Sequence, residues 1–85
     1  MNTIILAGRK PSDEMNFRHE VVTISKEWDT LYDVNLQDLG DDVWSLTFKH
    51  KEKYENRCTL LLDADIFASY FEQWTEFRVT TLLIV

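Results

Sequence analysis

Cysteine, glycine and proline are nearly missing from this chain of 85 residues, which has one Cys, two Gly and one Pro. A single thiol, Cys58, cannot close an internal disulfide, so packing and hydrogen bonds must hold the fold. Glycines only at positions 8 and 40 exclude a glycine-rich phosphate loop. Few breakers together with 45% hydrophobic and 13% aromatic residues exclude the disordered class. No apolar stretch approaches the roughly 18 residues that span a bilayer. The longest, Val79 to Val85, is interrupted by Thr80 and Thr81. No charged leader with an apolar run and a small-residue cleavage site precedes the first strand-like segment, so a soluble protein of the reducing cytoplasm is expected. A domain this short buries only about 60 to 65% of the surface of its unfolded chain, which argues against a deep pocket and a large-substrate enzyme.

What is present is patterned. Thr3 to Ala7, TIILA, is a β-branched run that stops at Gly8, Arg9 and Lys10, as a strand stops at a turn. Pro11, Ser12, Asp13 and Glu14 then read as a helix start, with Ser12 as the side-chain cap and acid in the first turn, where the helix dipole favours it. Phe17, Val21, Ile24, Trp28 and Leu31 follow within an arc of roughly 80°, one face of a helix. The competing reading takes Glu20 to Ser25, EVVTIS, as a strand, because Val, Thr and Ile favour extended backbone. The spacing of four, three, four and three favours the helix.

Trp44, Leu46 and Phe48 alternate with Ser45 and Thr47, the period of a strand with one buried face. After the polar KHKEK, the segment YENRCTLLL turns apolar again, so residues 43–50 and 56–62 are expected to pair as an antiparallel hairpin. Asp63 then caps a second helix, in which Ile66, Phe67, Tyr70, Phe71, Trp74 and Phe77 occupy an arc of roughly 140° and form the expected core face. Asp65, Ser69, Glu72, Gln73 and Glu76 lie opposite. Val79 to Val85 is a final apolar strand whose free edge could pair with its copy in a homodimer.

Strand, helix, strand, strand, helix, strand is the order of a ferredoxin-like βαββαβ sandwich, an α+β fold with two helices on one face of a four-stranded antiparallel sheet, here as a single domain over 1–85. The alternation of Tyr32, Val34 and Leu36 adds a fifth strand as an option, paired with 43–50 across Leu39 to Asp42.

The residues that could carry chemistry are sparse. His19 and His50 share no ligand spacing with Cys58, so no metal and no cofactor are expected. Asp63 with Asp65, and Asp41 with Asp42, resemble carboxylate pairs, but a helix cap and a turn account for them. Cys58 falls in a segment read as a buried strand, where a thiol is unreactive. No catalytic residue is assigned and the chain is read as a non-enzyme. KHKEKYENR, residues 49–57, holds four of the nine Lys and Arg, and Lys49, Lys51, Lys53, Tyr54 and Arg57 support an alternative reading as an RNA-binding module or small ribonuclease. A sequence pI near 4.7 opposes it, because phosphate neutralisation needs a basic surface.

Between Lys26 and Lys49 there is no Lys or Arg, while Glu27, Asp29, Asp33, Asp38, Asp41 and Asp42 carry charge equal to the whole formal net charge of −6. These acids are interleaved with Val34, Leu36, Leu39 and Trp44, which a solvated spacer would lack. The expected contact surface is therefore Asp33, Asp38, Asp41, Asp42 and Trp44, with Glu27 and Asp29 at its rim, steering a basic protein partner. Small size, acidity and aromatic content together resemble the general profile of phage anti-defence proteins, antitoxins and nuclease immunity proteins. That resemblance implies an inhibitor that blocks a nucleic-acid-handling partner such as a nuclease or a CRISPR-type complex, without membrane association or direct nucleic-acid binding.

Overall fold

Where apolar residues alternate the backbone is extended, and where they recur every three or four it is helical, in the computed structural model, which describes all 85 residues, Met1 to Val85. The elements run β1 (Thr3–Arg9), α1 (Glu14–Glu27), β2 (Tyr32–Asp38), β3 (Val43–His50), α2 (Arg57–Thr75) and β4 (Val79–Ile84). The strands form one antiparallel sheet in the order β2-β3-β1-β4. Two helices on this sheet make the ferredoxin-like α+β sandwich. No helix is long and apolar enough to cross a membrane.

The core is aromatic. Ile4 and Leu6 of β1 and Leu46 and Phe48 of β3 are fully buried, as are Phe17 of α1 and Leu60, Ala64, Phe67 and Phe71 of α2. The Phe67 ring stacks on Phe48 with centroids 4.1 Å apart and takes Trp28 and Tyr32 edge-on at 4.9 and 5.3 Å. Phe17 anchors a second group with Trp44, Phe71 and Phe77 at 5.0 to 5.6 Å.

Several expectations need correction. Residues 56–62 are not a strand: the Asn56 side chain accepts hydrogen bonds from the N–H groups of Cys58 and Thr59 and caps α2, so the helix begins six residues before Asp63. The strand that pairs with 43–50 is instead β2, through Tyr32↔His50 to Asp38↔Trp44, and the sheet has four strands. Cys58 therefore lies exposed in the first turn of α2. At α1 the cap is Asp13 rather than Ser12, its carboxylate accepting from the N–H of Asn16 at 3.0 Å. Glu20 to Ser25 are helical, and Leu31 lies exposed beyond the helix end. Of the expected α2 face, Phe67, Phe71 and Phe77 are buried, but Ile66 and Trp74 are not. The buried stripe is Leu60, Ala64, Phe67, Phe71 and Thr75, because the sheet covers this edge of the apolar arc and leaves Ile66 and Trp74 on the other.

Two phenols tie the elements together. Tyr32 of β2 donates to Asp63 of α2 at 2.6 Å, and Tyr70 of α2 donates to Glu20 of α1. Burial, then the bond to Asp63, raises the pKa of Tyr32 and holds its phenol protonated. Burial, then the bond to Glu20, pushes Tyr70 from its ordinary 10.0 up to about 12. A phenol whose folded pKa is raised contributes stability that is complete below the unfolded value and is lost as pH climbs through the folded value. Denaturant midpoints are thus expected to fall between pH 10 and about 12. The Tyr32→Phe/Tyr70→Phe double variant should fall less over the same interval, and equal slopes for parent and variant would rule the two bonds out as the cause.

Candidate functional site

The acidic stretch 33–44 folds into β2, a tight connection and the start of β3. Four residues, Leu39 to Asp42, join the strands. The loop closes with Leu39 N–H donating to Val43 O at 2.8 Å and Val43 N–H to Gly40 O at 3.0 Å. Gly40, Asp41 and Asp42 all take left-handed backbone, with φ of +83°, +53° and +59°. Aspartate tolerates this region better than most residues, which explains two of the acids as turn formers. Asp38 is a third, its carboxylate accepting from Gly40 N–H at 2.8 Å. The N–H of Lys10 donates to Asp42 O at 2.6 Å and ties the loop to the chain entering α1. Leu39 projects from this tip 57% exposed.

The acids do not form one surface. Asp38 pairs across the ladder with Trp44 and Asp33 with Lys49, so the two lie five positions apart along β2, about 17 Å at ~3.4 Å per residue. Asp38, Asp41 and Asp42 gather at the hairpin tip. Asp33 lies at the opposite end, and Glu27 and Asp29, after the run of α1, precede Tyr32 at that same end. Each group meets bases that the linear sequence keeps apart. Lys10 pairs with Glu14 and feels Asp42 and Asp38, which with Glu14 raise its pKa, the hydrogen bond to Glu14 foremost. Lys51 Nζ lies 4.0 Å from Asp33.

Trp44 is not a contact residue. It is 4% exposed, packed on Phe17, with Lys10 Nζ 5.5 Å and the Arg18 guanidinium carbon 5.0 Å from its ring centre. Its indole Nε1–H finds no acceptor in the protein. The alternation that makes Trp44 a strand residue also turns it inward beside Leu46 and Phe48.

The basic residues converge at the far end of β3. Asn2, Asp33, Lys49, His50, Lys51 and Lys53 line an open depression of about 410 Å³ with no apolar side chain. His50 itself is structural: its buried Nδ1 accepts the N–H of Glu52 at 3.1 Å while Nε2 lies 3.3 Å from Glu55, which assigns the ring proton to Nε2. Tyr54 is exposed, with Lys53 Nζ 5.4 Å from its ring. The uncovered sheet face carries no aromatic side chain on which a base could stack. Ladder register places Thr3, Ile5, Ala7, Arg9, Asp33, Asn35, Gln37, Val43, Ser45, Thr47, Lys49, Thr81 and Leu83 on that side, and none is aromatic. No three His, Cys, Asp or Glu side chains converge as metal ligands. Comparison with protein-family models, with curated proteins and with solved structures found no match to this chain.

Proposed function

We propose that this chain is a non-enzymatic protein-binding module that presents its acidic hairpin tip to a basic, nucleic-acid-handling partner and blocks it, in the manner of anti-defence proteins, antitoxins or nuclease immunity proteins. The observation that carries the reading is the tip itself. Three carboxylates, Asp38, Asp41 and Asp42, surround the exposed Leu39 on a four-residue loop pinned by backbone hydrogen bonds. A preordered loop loses little conformational entropy on binding, the acids steer a basic partner, and Leu39 supplies apolar contact that slows release. Glu27, Asp29 and Asp33 are too distant to share that contact and drop from its core.

Asparagine separates charge from turn chemistry, since it also tolerates left-handed backbone and its side-chain oxygen can accept from Gly40 N–H. The Asp38→Asn/Asp41→Asn/Asp42→Asn variant should therefore keep its melting midpoint. Association with the isolated partner is expected to slow about 10-fold at low salt, with a flatter salt dependence. Identical rates and salt slopes for parent and variant would end this reading. Tight RNA binding in a low-salt mobility shift, lost on neutralising Lys49, Lys51 and Lys53, would replace it with the RNA-binding alternative that the lysine-lined depression favours.

Self-association belongs to the same proposal. β4 is an edge strand without a charged residue, and Leu82 and Leu83 are exposed on it. Pairing of β4 with its copy predicts a light-scattering mass of twice 10.1 kDa at high concentration, and a monomer mass there would remove the dimer.

A further inference from the structure

Leu62, Ile66, Tyr70 and Trp74 recur every fourth residue along α2, so their side chains form a single ridge about 18 Å long. Leu62 is 68% exposed, Ile66 49% and Trp74 57%. Tyr70 is half-buried, its hydroxyl on Glu20. Exposed apolar residues scattered singly are ordinary, but a contiguous row is a mark of a contact surface. Apart from Tyr70, which packs against the core, this row is not part of it. Leu60, Ala64, Phe67 and Phe71 already fill the sheet-facing side of α2.

Charge around the ridge selects the occupant. Of the helices' carboxylates, Glu14 is paired with Lys10, Asp63 is bonded to Tyr32, and Asp65 and Glu72 lie on the other side of α2, which leaves Glu20 and Glu27 of α1 beside the ridge. Glu20 and Glu27 both act on Tyr70 in the ridge. Arg57 stands at the first position of α2, and the last turn of that helix has no base. A second copy would set carboxylate against carboxylate, and an anionic bilayer or a nucleic acid would be repelled in the same way. The complement of an apolar row rimmed by acid is a helix with apolar residues on one face and Lys or Arg beside them.

We propose that the Leu62–Ile66–Tyr70–Trp74 ridge docks a basic amphipathic helix of a partner protein. It lies on the helical layer, apart from the hairpin loop, and holds whether or not the tip reading does. Tryptophan and tyrosine at its C-terminal half are the residue types that dominate binding energy at such surfaces.

The probe is a synthetic peptide of about 18 residues with Leu at helical spacing on one face and Lys on the other, titrated calorimetrically into the full chain. A second peptide carries Glu in place of Lys. The Lys peptide is expected to bind and the Glu peptide not. Ile66→Ala/Trp74→Ala should weaken the Lys peptide at least about 10-fold, while the hairpin-tip triple asparagine variant should change it by less than about two-fold. Should the double alanine variant melt early, Glu27→Gln leaves the ridge whole and is expected to weaken binding and flatten its salt dependence. Absence of binding by the Lys peptide at about 100 µM, equal binding of both peptides, or affinity untouched by the ridge and charge variants would overturn the proposal.

Discussion

Replacing Phe67 by alanine is expected to remove about 3 to 5 kcal/mol of folding stability, the range for deleting a buried aromatic ring. Phe67 is fully buried and touches three other rings, the stacked Phe48 and the edge-on Trp28 and Tyr32, so its loss opens a cavity between the helices and the sheet that no single neighbour can fill. A domain of this size has a total stability of roughly 4 to 13 kcal/mol, so the variant should melt tens of degrees lower or fail to fold. Trp74→Ala is the matched comparison, an aromatic of larger volume seven residues further along the same helix. Because its side chain stands mostly in water, its loss should cost no more than about 1 kcal/mol. Chemical denaturation of both variants decides the matter, and similar costs would mean that Trp74 packs inward.

Gly8→Ala should be nearly as damaging, although it adds one methyl group. A Cβ at Gly8 would lie 2.2 Å from the Arg78 carbonyl oxygen, 3.1 Å from its carbon and 3.2 Å from Phe77 Cζ. The cause is local: the β1 and β4 register shifts between Ala7 and Gly8, and the chain entering β4 crosses directly over Gly8. The obstructing atom is backbone and can yield only if the strand moves, so the cost is expected at about 3 kcal/mol, the upper end for overpacking. Gly40→Ala serves as the contrast. No atom lies within 4 Å of its Cβ position, and only the left-handed φ of +83° resists, worth about 1 to 2 kcal/mol. An unfolding midpoint for Gly8→Ala equal to the parent's would mean that the close approach of β1 and β4 is relaxed in solution.

Much of the fold is legible along the chain because its cause is local. TIILA before Gly8, the four-three spacing from Phe17 to Trp28, the alternation Trp44-Leu46-Phe48 and the run Val79 to Val85 each became the expected element. YENRCTLLL did not, because a short apolar run without clear period fits a buried strand and a helix start equally well. The deciding signal was Asn56, a helix cap whose partners Leu60, Ala64, Phe67 and Phe71 follow at spacings of four, four, three and four. The element order is the expected one all the same, because β2 supplies the strand that residues 56–62 do not.

The sequence by itself determined the α+β class, the periodicity of most elements, and the turn chemistry that draws Asp38, Gly40, Asp41 and Asp42 into one hairpin, because each rests on the conformational preferences of near neighbours. Only the tertiary structure decided which acids act together. A seven-residue strand carries Asp33 and Asp38 to opposite ends of the sheet, while folding brings Lys10 and Lys51 beside them. It also turned Trp44 inward and Trp74 outward. An apolar arc of roughly 140° on a helix is wider than the strip a sheet can cover, so the element packed against it, distant in sequence, selects the edge that is buried and the edge left to solvent.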